Sequence, residues 1–200
     1  MRKIIVGTRT SQLALIQTHW VIDQLKTLGV PNEIEIKEFM TKGDKNLNVS
    51  IQEVGGSGIF TGELEQSLLN EDIDFAVHSL KDIPAKLPDN LVISSIPVRE
   101  DARDAYIGKN RVKLADLPSG ALIGTSSARR AAQILAKRPD LKTEWIRGPV
   151  DSRLKQLEEG KFDAIILAVA GLNRLGLGHV ITEYLDVEEF VPAPGQGALA

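Results

Sequence analysis

Six arginines stand where a ligand carrying several negative charges could be held. Arg9 lies in Gly7-Thr8-Arg9-Thr10-Ser11, and Arg129 and Arg130 close the string Gly124-Thr125-Ser126-Ser127-Ala128-Arg129-Arg130. In both strings a short apolar run meets hydroxyl residues and then a helical pattern. Such a strand-to-helix corner offers free N–H groups and the positive end of a helix dipole, and arginine adds a bidentate fork for carboxylate or phosphate. Arg147, Arg153 and Arg174 follow near the ends of further strand-like stretches, where α/β sheets bind ligands. Neighbouring residues on a helix point about 100° apart, so Arg129 and Arg130 serve one ligand together only if it is multiply charged. Taken singly, each corner reads more readily as a capped helix beside a solvated arginine, and each arginine as surface. Six of them in a chain of net charge −3 favour a polycarboxylate or phosphate pocket.

A second cluster is His78-Ser79-Leu80-Lys81-Asp82-Ile83-Pro84. A carboxylate beside a lysine, on a loop fixed by proline, can stay ionised while facing a ligand. Asp82 could then stabilise a developing cation or move protons. The bland alternative is a surface Lys81–Asp82 pair worth ~0–1 kcal/mol. His78, on an apolar strand, reads as a hydrogen-bonded core residue. Gly55-Gly56-Ser57-Gly58 has neither the P-loop nor the dinucleotide spacing, so no nucleotide loop is expected there. It reads as the hinge of a flap, with residues 41–58 the most mobile stretch of the chain.

The elements that must position these residues alternate, as in an α/β fold. Strands are expected over 3–7, 33–39, 74–77 and 91–96, with helices over 11–28 and 61–69. Thr10 or Ser11 serves as N-cap and Gly29 as the stop. The charged run 99–104 reads as a surface crossing between domains. The pattern then restarts: Ala121-Leu122-Ile123-Gly124-Thr125 echoes Ile4-Ile5-Val6-Gly7-Thr8, and Asp163-Ala164-Ile165-Ile166 echoes Asp74-Phe75-Ala76-Val77. Two related α/β domains follow from those echoes. Residues 187–200, with Pro192, Pro194, Gly195 and Gly197, read as a second crossing.

Composition narrows the function classes. With 200 residues, 42% of them hydrophobic and 26% charged, the chain can bury a core without staples. The absence of cysteine removes disulfides, thiolate metal sites and cysteine nucleophiles. His19, His78 and His179 have no metal-ligand spacing, so no metal is expected. Net negative charge argues against a nucleic-acid partner. No apolar run approaches the ~20 residues of a membrane span, so no membrane partner is expected. The first seven residues are too short for a signal peptide, which points to the cytoplasm.

At this stage the motifs resemble a known family, the porphobilinogen deaminases (hydroxymethylbilane synthases). The resemblance runs over essentially all 200 residues. It is carried by the strings from His78 to Pro84 and from Gly124 to Arg130, by Arg147-Gly148 with Arg153, by Ala170-Gly171-Leu172 with Arg174, and by Pro192-Ala193-Pro194-Gly195-Gln196-Gly197-Ala198. It implies a fold like type II periplasmic binding proteins, with two domains around a cleft and two crossings. The first domain would hold 1–97 plus 192–200, the second 98–191. It implies a cytoplasmic, monomeric transferase of tetrapyrrole synthesis that joins four porphobilinogens head to tail with loss of ammonia. Asp82, with Lys81, would be catalytic, stabilising charge on pyrrole and azafulvene intermediates. Arg9, Ser11, Ser79, Thr125, Ser126, Ser127, Arg129, Arg130, Arg147, Arg153, Arg174 and Gln196 would bind substrate and a dipyrromethane cofactor.

Three departures accompany the resemblance. Ser57 and Glu53 stand where the family usually carries lysines, and Pro149 stands for the asparagine of its Arg-Gly-Asn motif. The family also attaches its dipyrromethane through the cysteine of a third domain, and these 200 residues contain no cysteine. The expectation is therefore the first two domains of such an enzyme. The rival reading is a catalytically silent protein that closes on a small polycarboxylate.

Overall fold

The computed structural model describes residues 2–45 and 60–200. The glycine-rich string, Glu53 and Ser57 lie outside them, as does most of the expected flap. By contacts the chain forms two compact units, Met1–Arg99 with Ala198–Ala200, and Glu100–Gly197. The return to the first unit thus falls after Gly197, and residues 192–197 pack with the second.

The first unit is built on three parallel strands, β1 (Ile4–Arg9), β2 (Ile34–Phe39) and β3 (Phe75–Ala76), in the order β2-β1-β3. Between β1 and β2 runs α1 (Gln12–Thr27), started by Ser11, whose hydroxyl accepts the Ala14 N–H at 3.3 Å. Gly29 ends the excursion at φ +85°, a backbone region that favours glycine. The helix lays Ile22 against Val6 and Val77, and the Thr8 and Thr18 hydroxyls meet at 2.8 Å between strand and helix. The single turn α2 (Lys42–Lys45) falls where no regular element was expected, and α3 (Gly62–Leu69) precedes β3. The strand expected over 91–96 does not form. Leu91 closes a turn on the Pro88 carbonyl, and Val92 is 82% exposed. β-branched residues express a strand preference only beside a partner ladder, and no described strand pairs with this run.

The second unit has five strands, β4 (Asp104–Gly108), β5 (Leu122–Gly124), β6 (Lys142–Glu144), β7 (Ala164–Ala168) and β8 (Glu183–Leu185), ordered β6-β5-β7-β4-β8. β5, β6 and β7 run parallel, while β4 is antiparallel to both its neighbours. Three helices accompany them: α4 (Ala128–Lys137), α5 (Val150–Glu158) and α6 (Val169–Arg174). Along β7, Ile166 joins a core with Tyr106, Ile123 and Ile134, while Ile165 and Leu167 join another with Ile107, Leu157 and Leu172. Both faces of the sheet's centre are covered, which is why β5 and β7 read as unbroken apolar runs. β4 corrects one expectation: Asp104, taken as the end of a surface crossing, opens a fully buried strand and is itself 1% exposed.

The two units share a core plan. β2-β1-β3 and β6-β5-β7 have the same parallel order, and each is pinned by an aspartate preceding its third strand. Asp74 accepts the Ile5 N–H at 2.7 Å and returns its own N–H to the Ile5 carbonyl at 2.8 Å. Asp163 does the same to Leu122 at 2.7 and 2.9 Å. The echo read from the sequence is a repeated hydrogen-bonded clasp.

Candidate acid loop and anion-binding arginines

In the first unit, β3 leads into a 3-10 turn, Leu80–Asp82, that carries the acid. The turn is held from both sides. His78 and Ala200 exchange both backbone hydrogen bonds at 2.9 Å, and Leu80 N–H reaches the Ala198 carbonyl at 3.0 Å. The Gln17 amide donates to the Ser79 hydroxyl at 3.1 Å, tying the turn to α1. Burial pushes the Asp82 carboxyl above the ordinary carboxylate range, with the charges of Lys81 and Arg9 opposing. A carboxyl moved towards neutral pH is suited to giving and taking protons. The neighbouring His78 is displaced the other way: burial, helped by the Arg9 charge, pushes its imidazole down to about 4. His78 is therefore neutral at pH 7, in keeping with a core residue.

Arg9, the last residue of β1, does not stand open at the corner. Its Nε donates to Asp44 Oδ2 at 3.1 Å and its Nη2 to Asp44 Oδ1, a bidentate pair, while the Phe60 ring lies 4.3 Å from the guanidinium carbon. Burial would raise the Asp44 carboxyl, but hydrogen bonds from Arg9 and Thr41 outweigh it and hold it below the usual range. Ser11 caps α1, as described. Asp44 and Phe60 were not singled out from the sequence. The available signal was Thr41-Lys42-Gly43-Asp44, whose ends bond reciprocally, Thr41 N–H to Oδ2 at 3.2 Å and Asp44 N–H to Thr41 Oγ1 at 3.3 Å.

In the second unit the hydroxyls of the corner are engaged locally. Thr125 Oγ1 accepts from Ser127 N–H at 3.2 Å, Ser126 donates to the Ile146 carbonyl, and Ser127 caps α4 by accepting from Arg130 N–H at 3.4 Å. The paired arginines converge on Asp104: Arg129 at 2.7 Å on Oδ2, Arg130 through Nε and Nη2 at 3.0 and 2.7 Å on Oδ1. Gln196 completes the node, its amide donating to Asp104 Oδ1 at 2.9 Å and to the Ala102 carbonyl at 2.7 Å. Burial opposes ionisation of Asp104, yet Arg130 above all keeps its carboxyl below the usual range. Asp104 was not legible as a partner, because its bonds reach 25, 26 and 92 residues along the chain.

Arg147, Arg153 and Arg174 differ in charge balance. Arg153, on α5, donates its Nε to the Gly148 carbonyl at 2.7 Å, and among the described residues no acid lies in ion-pair contact with it. Burial, with the nearby charges of Arg130 and Arg147, lowers it to about 10. Arg147 stands beside the Trp145 ring at 6.0 Å. Arg174 donates to the Gly197 carbonyl at 2.7 Å and is drawn down by burial, with Glu100 opposing. Pro149 fits its loop: it occupies the N-cap of α5 at φ −65°, after Gly148 at φ +105°. Arg153 thus feels the charges of two further guanidiniums, Arg130 and Arg147, while the Asp104 carboxylate is taken up by Arg129 and Arg130. Among the described residues no group of acids and histidines is placed to hold a metal ion, and no helix is long and apolar enough to cross a membrane.

The fold defines the class. Solved structures similar over the whole chain include the periplasmic aliphatic sulphonate binding protein SsuA of Escherichia coli (TM-score 0.52, 15% identity, 60% of that chain covered). The Salmonella typhimurium periplasmic binding protein STM4351 is likewise similar (TM-score 0.53, 11% identity, 85% covered). The architecture is that of type II periplasmic binding proteins. Residues 4–200 match the family model described as porphobilinogen deaminase, dipyromethane cofactor binding domain. The chain is 61% identical to the porphobilinogen deaminase of Oceanobacillus iheyensis and 59% identical to that of Geobacillus sp., aligned over its whole length in both cases. The chain belongs to the porphobilinogen deaminase family. It spans about 65% of the length of those relatives.

Proposed function

We propose that this chain supplies the acid loop and carboxylate-binding arginines of a hydroxymethylbilane synthase, which condenses four porphobilinogens with loss of four ammonias. The observation that carries the reading is Arg153, half-buried, without an acid in ion-pair contact among the described residues, and crowded by Arg130 and Arg147. Each pyrrole of such a ligand brings an acetate and a propionate, and guanidiniums held in this state gain most from them. Ser127 and Arg129 flank the same corner. The donor set suits the carboxylates of a dipyrromethane, which when bound would supply the pyrrole that accepts the first substrate unit. A thioether to it needs a thiol, and none exists among these 200 residues.

Asp82 handles the protons. The aminomethyl group of porphobilinogen, an ammonium at neutral pH, leaves as ammonia when its C–N bond breaks, and its positive charge passes to the pyrrole methylene. The carboxylate of Asp82 stabilises that charge, and it receives the proton lost from the attacked pyrrole carbon when the new C–C bond has formed. Its raised carboxyl suits it to take up that proton. Lys81 keeps the charged form accessible. A cytoplasmic location and a monomeric state belong to the same reading, and sedimentation tests the second.

Calorimetry with a soluble dipyrromethane dicarboxylate tests the arginines directly. Binding should weaken as salt rises and fall at least tenfold in Arg153→Gln, roughly the loss of one charge-assisted contact. Salt-independent binding, or an unaffected Arg153→Gln, contradicts the assignment. In a chain extended to the relatives' length, Asp82→Asn should cut turnover by about a hundredfold to a thousandfold. The rival reading of a silent polycarboxylate binder predicts the same binding with no turnover at any length.

A further inference from the structure

The Arg9 corner carries an inference that rests on the polycarboxylate reading. Asp44 does to Arg9 what a ligand carboxylate would do, using both oxygens on the Nε and Nη2 edge of the guanidinium. It is held there from behind. Thr41, fully buried, donates both its N–H, at 3.2 Å, and its hydroxyl, at 2.7 Å, to Asp44 Oδ2. Gly43 lies so close to Phe60 that an added Cβ would stand 2.2 Å from the ring, which fixes the turn in place. Phe60 in turn covers one face of the guanidinium. The side chains of Arg9 and Asp44 retain 21% and 18% exposure, so the pair is reachable from solvent at its edge only.

We propose that Asp44 is a specificity-determining residue, an internal carboxylate that an incoming carboxylate must displace from Arg9. A tethered carboxylate acts at an effective concentration of millimolar or more. A small monocarboxylate in solution offers Arg9 nothing that Asp44 does not already provide, and is turned away. A ligand whose further carboxylates are held by other guanidiniums meets the cost of exchange with those contacts. Discrimination against small acids is thus built as competition at the fork.

The test uses the 200-residue chain and sodium propionate at constant ionic strength, read by NMR on the Arg9 Nε–H resonance. The parent should show no saturable shift up to about 20 mM. Asp44→Asn should bind propionate at Arg9 at least tenfold more tightly, and Asp44→Glu, which restores a carboxylate, should return to parent behaviour. Thr41→Val loosens Asp44 while leaving both charges in place, and should gain about threefold, so the idea remains testable if Asp44→Asn is poorly folded. Parent-like binding in both Asp44→Asn and Thr41→Val overturns the proposal, as does saturable binding by the parent. The Arg153 resonance, followed with a dipyrromethane dicarboxylate, reports separately. A flat Arg153 response with a gain at Arg9 sinks the functional reading alone, and the converse sinks the role of Asp44 alone.

Discussion

In the first unit Arg9 leaves β1 and is met at once by a fitted acid, whereas in the second Arg153 sits among like charges with no acid in ion-pair contact among the described residues. Both belong to the same parallel core plan, pinned by the same aspartate clasp. The strand-to-helix corner sets where an arginine stands, and the partner brought by distant chain sets whether it is neutralised. The acids differ in the same sense. Asp104 is wrapped by two guanidiniums and an amide and titrates low, while Asp82 is raised by desolvation against the opposing charges of Lys81 and Arg9. One carboxylate is held ionised by its partners, and the other is pushed towards its neutral form.

The largest test of that contrast is Asp104→Asn. It leaves Arg129 and Arg130 around a neutral amide in a buried site, and should lower unfolding free energy at pH 7 by about 3–5 kcal/mol. Because the folded carboxyl titrates low, its stabilisation is present above the unfolded value of about 3.9 and is lost as pH falls through the folded value. The difference between parent and variant should therefore close in strong acid. Denaturant titrations at pH 7 and pH 3 decide it, and a loss under 1 kcal/mol at pH 7 would reduce the node to a surface pair.

Gly197→Ala should come next. The residue has φ +89°, and a Cβ would lie 2.3 Å from the Glu100 carbonyl oxygen, backbone that cannot swing aside. A cost of about 1–3 kcal/mol is expected, visible as a lower melting temperature of the second unit. Asp82→Asn should behave oppositely to Asp104→Asn. Its carboxyl titrates high in the folded chain, so the stability tied to its protonation is complete below about 3.9 and is lost as pH rises through the folded value. The neutral amide should leave the melting temperature at pH 7 unchanged or higher, with no gain at pH 3. A clear drop at pH 7 would make Asp82 a structural acid. The smallest expected loss of stability is in the matched pair Ser11→Ala and Ser127→Ala, each an N-cap loss of about 1 kcal/mol. Equal losses would show that the two corners are built alike and differ only in charge.

What was legible in the sequence follows the range of the interactions. The Ser11 cap, the Gly29 stop and the apolar runs of β1, β5 and β7 are set within a few residues, and they are where the motifs put them. The clasp aspartates were visible as an echo because both copies precede the same apolar pattern. Residues 91–96 have strand composition but no neighbour, and composition does not reveal a missing neighbour. Asp104 looked like one more surface charge, since nothing local announces that Arg129, Arg130 and Gln196 will close over it. The Asp44–Arg9 pair was hidden in the same way, across 35 residues.

The exchange of backbone hydrogen bonds between His78 and Ala200 has a consequence for assembly. The two residues are more than a hundred positions apart, so this closure has high contact order and forms late. At about 5–20 residues per second, a ribosome needs on the order of ten seconds to travel from one to the other. During that interval the parallel sheet of the first unit can form, and the second unit can fold as its chain emerges. The turn that carries Asp82 has to wait. Its last clamp arrives with residues 198–200, so the acid settles only after every arginine described above has been synthesised.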